Sequence, residues 1–147
     1  MPDAELHDDD EHVRYQAYIH ALDDNTWKLV SELLHEEADQ SVATAVMVQI
    51  LERADASERR SIVDSSHDTV ADSSYLERRA NELDLVDQFT VEPVRAELRD
   101  LSESTLWVQR RVVESTSSRK VLEAMAKDGA SKRVRRTAMD RLATMPR

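Results

Sequence analysis

The chain has no cysteine, a single glycine and only three prolines in 147 residues. Without cysteine there is no disulfide framework, no thiolate metal site and no thiol nucleophile. One glycine, Gly129, is too few for the tight turns of an all-β or α/β domain, or for a phosphate-cradling loop, both of which need residues that tolerate positive φ. Helices joined by short Ser, Asp and Asn turns have no such need. Pro2 and Pro146 lie near the ends of the sequence and only Pro93 falls inside. Aromatic residues make up 4% of the chain, so Leu, Val, Ala, Ile and Met must carry the packing. No apolar run approaches the ~18–20 residues needed to span a bilayer, and no membrane association is expected. Residues 1–11 (MPDAELHDDDE) lack a hydrophobic signal core, which leaves the cytoplasm as the expected location.

What is abundant is charge, at 34% of residues with a net of −10. Lysine is scarce, since sixteen of the twenty basic residues are arginine. The charge is also unevenly placed. Residues 110–147 hold eleven Lys/Arg against four Asp/Glu, whereas residues 1–109 hold nine against twenty-six. The thirty acids are spread too evenly for any pair to stand out as general acid and base, and no G-x-S-x-G elbow is present. No catalytic residue, cofactor or metal is expected, and the chain reads as a non-enzymatic protein.

From His12 onward apolar residues recur at intervals of three and four, the helical period. Val13, Ala17 and Ala21 form one stripe. Asn25 or Thr26 can cap a helix carrying Trp27, Val30, Leu33 and Leu34, and Ser57 can cap one carrying Ile62 and Val63. Residues 64–74 (DSSHDTVADSS) read as a loop or a polar helix start. A helix with Leu76, Ala80 and Leu83 is followed by the apolar cluster Leu85, Val86, Phe89 and Val91. Pro93 suits a first helical turn. Further helices carry Trp107, Val108 and Val112, then Val121, Leu122 and Met125, then Val134, Ala138 and Leu142. The expectation is an all-α chain of eight or nine short helices, with a flexible acidic lead-in at 1–11 and a single helical-repeat domain at 12–145. Helices this short are marginal alone and need neighbours on both sides.

One phrase recurs: a polar joint, then Val, then a small or apolar residue four later. It appears at Val13/Ala17, Val42/Val46, Val70/Ser74, Val108/Val112 and Val134/Ala138. The stretch VQRRVVESTSSRKVLEAMAKDGASKRVRRTAMDRLA at 108–143 resembles HEAT-type and leucine-rich-variant helical repeats. That resemblance implies a short right-handed α-α superhelix serving as a binding or scaffold module. A non-repetitive helical bundle satisfies the same spacing. The resemblance also implies that Arg14 and Arg135 pair with acids of the preceding turn, for which Asp8 and Asp128 are available. Under either architecture Val42, Val46, Ile50, Val134, Ala138 and Leu142 should be buried.

The candidate binding surface is a basic face on the C-terminal helices: Arg110, Arg111, Lys132, Arg133, Arg135 and Arg136. Such a face fits an acidic protein partner or a second copy of the chain. The alternative is nucleic acid, since Arg and Lys neutralise phosphates, although the chain as a whole is acidic and only Trp107 borders the segment for stacking. The segment MAKDGASKRVRRTAMDRL also resembles a helix-turn-helix around Gly129. Two weaker signals are the HDDDEH run with His7 and His12, and the R-x5-H spacing of Arg14 and His20, which resembles the ribonuclease motif of HEPN domains.

Overall fold

The computed structural model describes residues 5–24, 26–91, 94 and 96–146, with the backbone alone for residues 5–10. These residues form nine α-helices and no strand: α1 (Glu5–Asp24), α2 (Trp27–Leu34), α3 (Gln40–Arg53), α4 (Ala56–Ser66), α5 (Ser74–Thr90), α6 (Leu98–Ser102), α7 (Leu106–Ser115), α8 (Arg119–Asp128) and α9 (Lys132–Thr144). The all-α expectation holds. None of the described helices is long and apolar enough to cross a membrane. The described part of α1 begins at Glu5, within the segment expected as a lead-in. Asn25 and Pro93 lie outside the described residues.

Polar side chains start the helices in place of glycine turns. Asp39 accepts from the Ser41 N–H at 2.9 Å and Asp55 from the Glu58 N–H at 2.9 Å. Thr105, Ser118 and Ser131 accept from the N–H of Val108, Val121 and Val134, at 3.3, 3.3 and 3.1 Å. Each bond satisfies a donor that the helix leaves unpaired, typically worth about 1 kcal/mol. For α4 the cap is Asp55, not Ser57, whose hydroxyl instead donates to the Asp55 carboxylate at 2.6 Å. A carboxylate is the stronger acceptor for a helix N-terminus.

The chain divides into two compact units, Met1–Ala80 and Asn81–Arg147. In the first, α1 packs on α2 and α3, and α3 packs on α2 and α4. Its core includes Leu22, Val30, Leu34, Val46, Met47, Ile50, Leu51, Ile62 and Leu76. In the second, α6 meets α7 and α8, while α7, α8 and α9 all meet one another. Its core is built from Phe89, Leu101, Val108, Val112, Val113, Val121, Leu122, Met125, Val134 and Ala138.

The stripes of α3 and α9 lie where expected: Val42, Val46, Ile50, Val134 and Ala138 are buried. Leu142 is only half-buried, because it sits in the last turn of α9. The α1 stripe turns outward over its first two members. Val13 is 60% exposed and Ala17 is exposed, while Ala21, Tyr15, Tyr18 and Ile19 are half-buried and Leu22 is buried. Both stripes obey the helical period, but the tyrosine–leucine side removes far more apolar area from water. Leu33 is exposed for the same kind of reason, its neighbours Val30 and Leu34 filling the core. Val70 lies in the α4–α5 connection and not in a helix, yet it is buried there. Leu85, Val86 and Phe89 continue α5 without a break.

Three helix pairs share one further device. Four residues after the caps Asp55, Thr105 and Ser131, α4, α7 and α9 carry Arg59, Gln109 and Arg135. Each turns back onto carbonyls at the end of the preceding helix, where the backbone leaves acceptors unpaired. Arg59 Nη2 donates to Ala54 O at 3.2 Å, and Arg135 Nη1 donates to Gly129 O at 2.8 Å. Gln109 Nε2 donates to Leu101 O, Ser102 O and Ser104 O at 3.2, 3.3 and 3.4 Å. Its Oε1 accepts from the Ala130 N–H at 2.8 Å, tying α6 to the α8–α9 turn. The expected pairing of Arg135 with Asp128 is replaced by this carbonyl bond.

Candidate functional site

The longest uncharged run in the chain is Gln40–Leu51 (QSVATAVMVQIL), nearly all of α3. One side of it, from Val42 to Leu51, is core. Helical geometry puts Ser41, Thr44, Ala45 and Val48 on the other side. There Ser41 and Ala45 are exposed, while Thr44, Val48 and Gln49 are half-buried. These residues line a groove of about 620 Å³ with Tyr15 of α1 and Tyr75 of α5. Tyr75 is held in place by its own helix: Arg78 and Arg79 stack over its ring at 5.4 and 5.7 Å, and Arg79 Nη2 donates to its hydroxyl at 3.1 Å. At the start of α3, Gln40 Oε1 accepts from the Ala71 N–H at 2.9 Å, which pins the α4–α5 connection beside the groove. The groove offers methyls, hydroxyls, two amides and two phenol rings, and its lining includes no Asp, Glu, His, Lys or Arg. Such a surface can bind an apolar segment.

Beside it, Glu37 is buried in the α2–α3 connection. Arg14 Nε donates to both its oxygens, at 3.1 and 3.0 Å, and the Tyr18 hydroxyl and Asp39 N–H donate at 3.0 and 3.1 Å. Burial alone would raise the Glu37 carboxyl, but these donors outweigh it and hold it below the usual carboxylate range. Tyr18 is pushed up to about 12, first by burial and then by its hydrogen bond to Glu37. Asp39 is held down to about 2, chiefly by the Ser41 hydroxyl that donates to it at 2.6 Å. The cluster fastens α1 to the α2–α3 connection. It takes up Arg14, the arginine of the R-x5-H spacing, while His20 is exposed. The side chains of His7 and Asp8 lie outside the described residues, and His12 is exposed. Among the described residues, no group of three or more His, Cys, Asp or Glu is placed to hold a metal ion.

The basic face is less uniform than its sequence. Arg110, Lys132, Arg133 and Arg136 are exposed, but Arg111 and Arg135 are half-buried. Arg111 lies over the Trp107 ring at 5.1 Å, and Arg135 holds the Gly129 carbonyl. Nearby, Arg141 Nη1 donates to Val113 O and Thr116 O at 2.9 and 2.7 Å, so it closes the end of α7 and does not face solvent alone. Helical spacing sets Glu114 one turn after Arg110 and Asp140 one turn after Arg136, so the outer surfaces of α7 and α9 alternate in sign. Residues 81–147 as a whole hold thirteen Lys/Arg against eleven Asp/Glu, and residues 1–80 hold seven against nineteen.

Sequence reasoning overlooked the α3 groove because it followed the buried stripe of that helix. The signal was available as the missing charge on the opposite stripe. Comparison with family models, with curated proteins and with solved structures yields no match.

Proposed function

We propose that the chain is a non-enzymatic helical-repeat module of HEAT-like type, and that its α1–α3–α5 groove holds an uncharged, apolar segment of a protein partner. The observation that carries the reading is the uncharged outer stripe of α3. In a chain that is 34% charged, a solvent-facing helix stripe would normally carry Lys, Arg, Asp or Glu, and charged residues are depleted at the centres of protein interfaces. Tyrosines such as Tyr15 and Tyr75 are favoured there, since one end of the ring is apolar and the other hydrogen-bonds. The repeat reading is supported by the shared return of Arg59, Gln109 and Arg135 onto the preceding helix. It is supported too by the packing of α1, α6 and α7, each of which meets both its next and its next-but-one neighbour.

The nucleic-acid reading of Arg110, Arg111, Lys132, Arg133, Arg135 and Arg136 has less behind it, since two of the six are engaged by the protein itself. The test compares the two surfaces. A photo-crosslinking side chain at Val48, in cells of the source organism, is expected to capture one dominant polypeptide. Ala45→Arg, which places a charge on the exposed floor of the groove, should abolish that adduct while leaving the melting temperature unchanged. In parallel, mixed-sequence DNA and RNA are titrated at about 50 mM salt, where counterion release favours binding most. Tight binding that disappears on changing Arg133 and Arg136 to Glu, with no adduct at Val48, would replace this proposal by the nucleic-acid reading. Arg135 is left intact in that variant because it closes the end of α8.

A further inference from the structure

The caps set α7 and α9 in a common register. Thr105 and Ser131 each bond the valine three residues on, so every α9 position matches the α7 position 26 residues earlier. Val113 therefore corresponds to Met139. Val113 is 1% exposed, in a unit where α9 packs on α7, whereas Met139 is 51% exposed. Met139 occupies the place that a following helix would cover. Lys132 and Arg136 lie on the same stripe, opposite Val134 and Ala138, so the open side of α9 is a methionine with two exposed cations beside it and Asp140 at its edge.

The chain contains a helix of the complementary kind. On α2, Leu29 and Leu33 are 43% and 49% exposed and lie one turn apart. Glu32 and Glu36, both exposed, fall on the same side, the second just past the helix end. This is an apolar pair set among carboxylates, within a unit whose seven Lys/Arg face nineteen Asp/Glu.

We propose that α2 of one copy docks on α9 of another, with Leu29 and Leu33 against Met139 and with Glu32 and Glu36 facing Lys132 and Arg136. This goes beyond the groove reading and uses different residues. The contact is heterologous, since the two faces differ. In the first dimer one copy keeps an unused α9 face and the other an unused α2 face, so association continues past the dimer unless the ring closes. Three apolar side chains form a small contact, in the weak class below ~1,200 Å² of buried surface. Opposite charges make it sensitive to salt.

The test is sedimentation velocity on the full chain, at concentrations up to about 0.5 mM and at low salt, where a weak contact of this size is populated. The parent is expected to show an average mass that rises with concentration beyond two copies, or that settles at a closed ring. Leu33→Asp and Met139→Asp should each remain monomeric. Both sites are exposed, and unchanged circular dichroism and melting establish that the variants fold. An equimolar mixture of the two variants should give a dimer and nothing larger, because one retains an intact α9 face and the other an intact α2 face. Lys132→Glu/Arg136→Glu and Glu32→Lys/Glu36→Lys should each be monomeric alone, and their mixture is expected to associate past the dimer, because the two reversed faces complement each other as the two unaltered ones do. Ala45→Arg, which addresses the groove, should associate like the parent, so failure of the groove reading leaves this result intact. A parent that stays monomeric throughout would overturn the proposal. So would a mixture of the two Asp variants that forms no dimer, or self-association of either variant alone to the parent's extent.

Discussion

Gly129 is needed for closeness and not for backbone freedom. Its φ is −55°, which any residue adopts, but a Cβ there would sit 2.6 Å from the Met125 carbonyl oxygen and 2.8 Å from Val134 Cγ1. The first of these is backbone and cannot turn aside. Gly129→Ala should therefore destabilise by about 1–3 kcal/mol, as overpacked sites do, and urea unfolding measures it. Gln109 is a second position where one side chain answers for several backbone groups. Gln109→Leu takes this partner from the Ser102 carbonyl and the Ala130 N–H, while the Leu101 carbonyl keeps the N–H and hydroxyl of Ser104, so the loss should be about 0.5–1.5 kcal/mol for each hydrogen bond removed, read by urea unfolding. Glu37 and Tyr18 make stability depend on pH in opposite directions. The Glu37 carboxyl is lowered, so its contribution is present above ~4.3, the unfolded value, and is lost as pH falls through the folded one. Tyr18 is raised to about 12, so its contribution is complete below ~10 and is lost as pH climbs from there toward 12. Thermal melts across pH should show both limbs. Glu37→Gln should flatten the acid limb and Tyr18→Phe the alkaline one.

Among the helices, α1 shows how a correct period can be assigned to the wrong side. Val13, Ala17 and Ala21 repeat as cleanly as Tyr15, Tyr18 and Leu22, and period alone does not choose between them. The choice falls to the larger side chains and to Glu37, which gives the Tyr18 hydroxyl a partner. Val13→Ser should change stability by no more than about 0.5 kcal/mol, as exposed sites do. Leu22→Ala should cost about 2–5 kcal/mol, as buried leucines do. In α9 the half-buried Leu142 should cost less than that range when cut to Ala, and a value inside it would place the end of α9 deeper than it lies here. The α5 helix absorbed what the sequence divided into a helix and an apolar cluster, because Val86 and Phe89 continue the inward face of Leu76, Ala80 and Leu83.

For the whole molecule the governing quantity is charge. The chain carries −10, with −12 in residues 1–80 and +2 in residues 81–147. Self-repulsion among nineteen acids and only seven cations opposes compaction of the first unit, and ion pairs such as Arg53–Asp23 and Arg14–Glu37 relieve it locally. Raising salt shortens the screening length from ~30 Å at 10 mM to ~8 Å at 150 mM, so the melting temperature should rise over that interval. A fall would mean that the ion pairs outweigh the repulsion. Far-UV circular dichroism should show helix without strand, since no described residue is in a strand.

The sequence by itself determined the class of structure. One glycine, no cysteine and a sustained three–four period leave helices as the economical way to satisfy the backbone, and the Ser, Thr and Asp joints mark most helix starts because those side chains accept from exposed N–H groups. It also disclosed the inward stripes of α3 and α9, where apolar residues occupy one side alone. Tertiary structure decided which of two regular stripes on α1 turned inward. It also decided that Arg111, Arg135 and Arg141 are engaged by an aromatic ring or by backbone carbonyls and are not all offered to a ligand. The recurring Arg59, Gln109 and Arg135 escaped notice because they are chemically unlike and become equivalent only when a preceding helix ends beside them. The same holds for Met139: period alone does not tell a covered apolar residue from an uncovered one, because burial depends on which helix comes next in space.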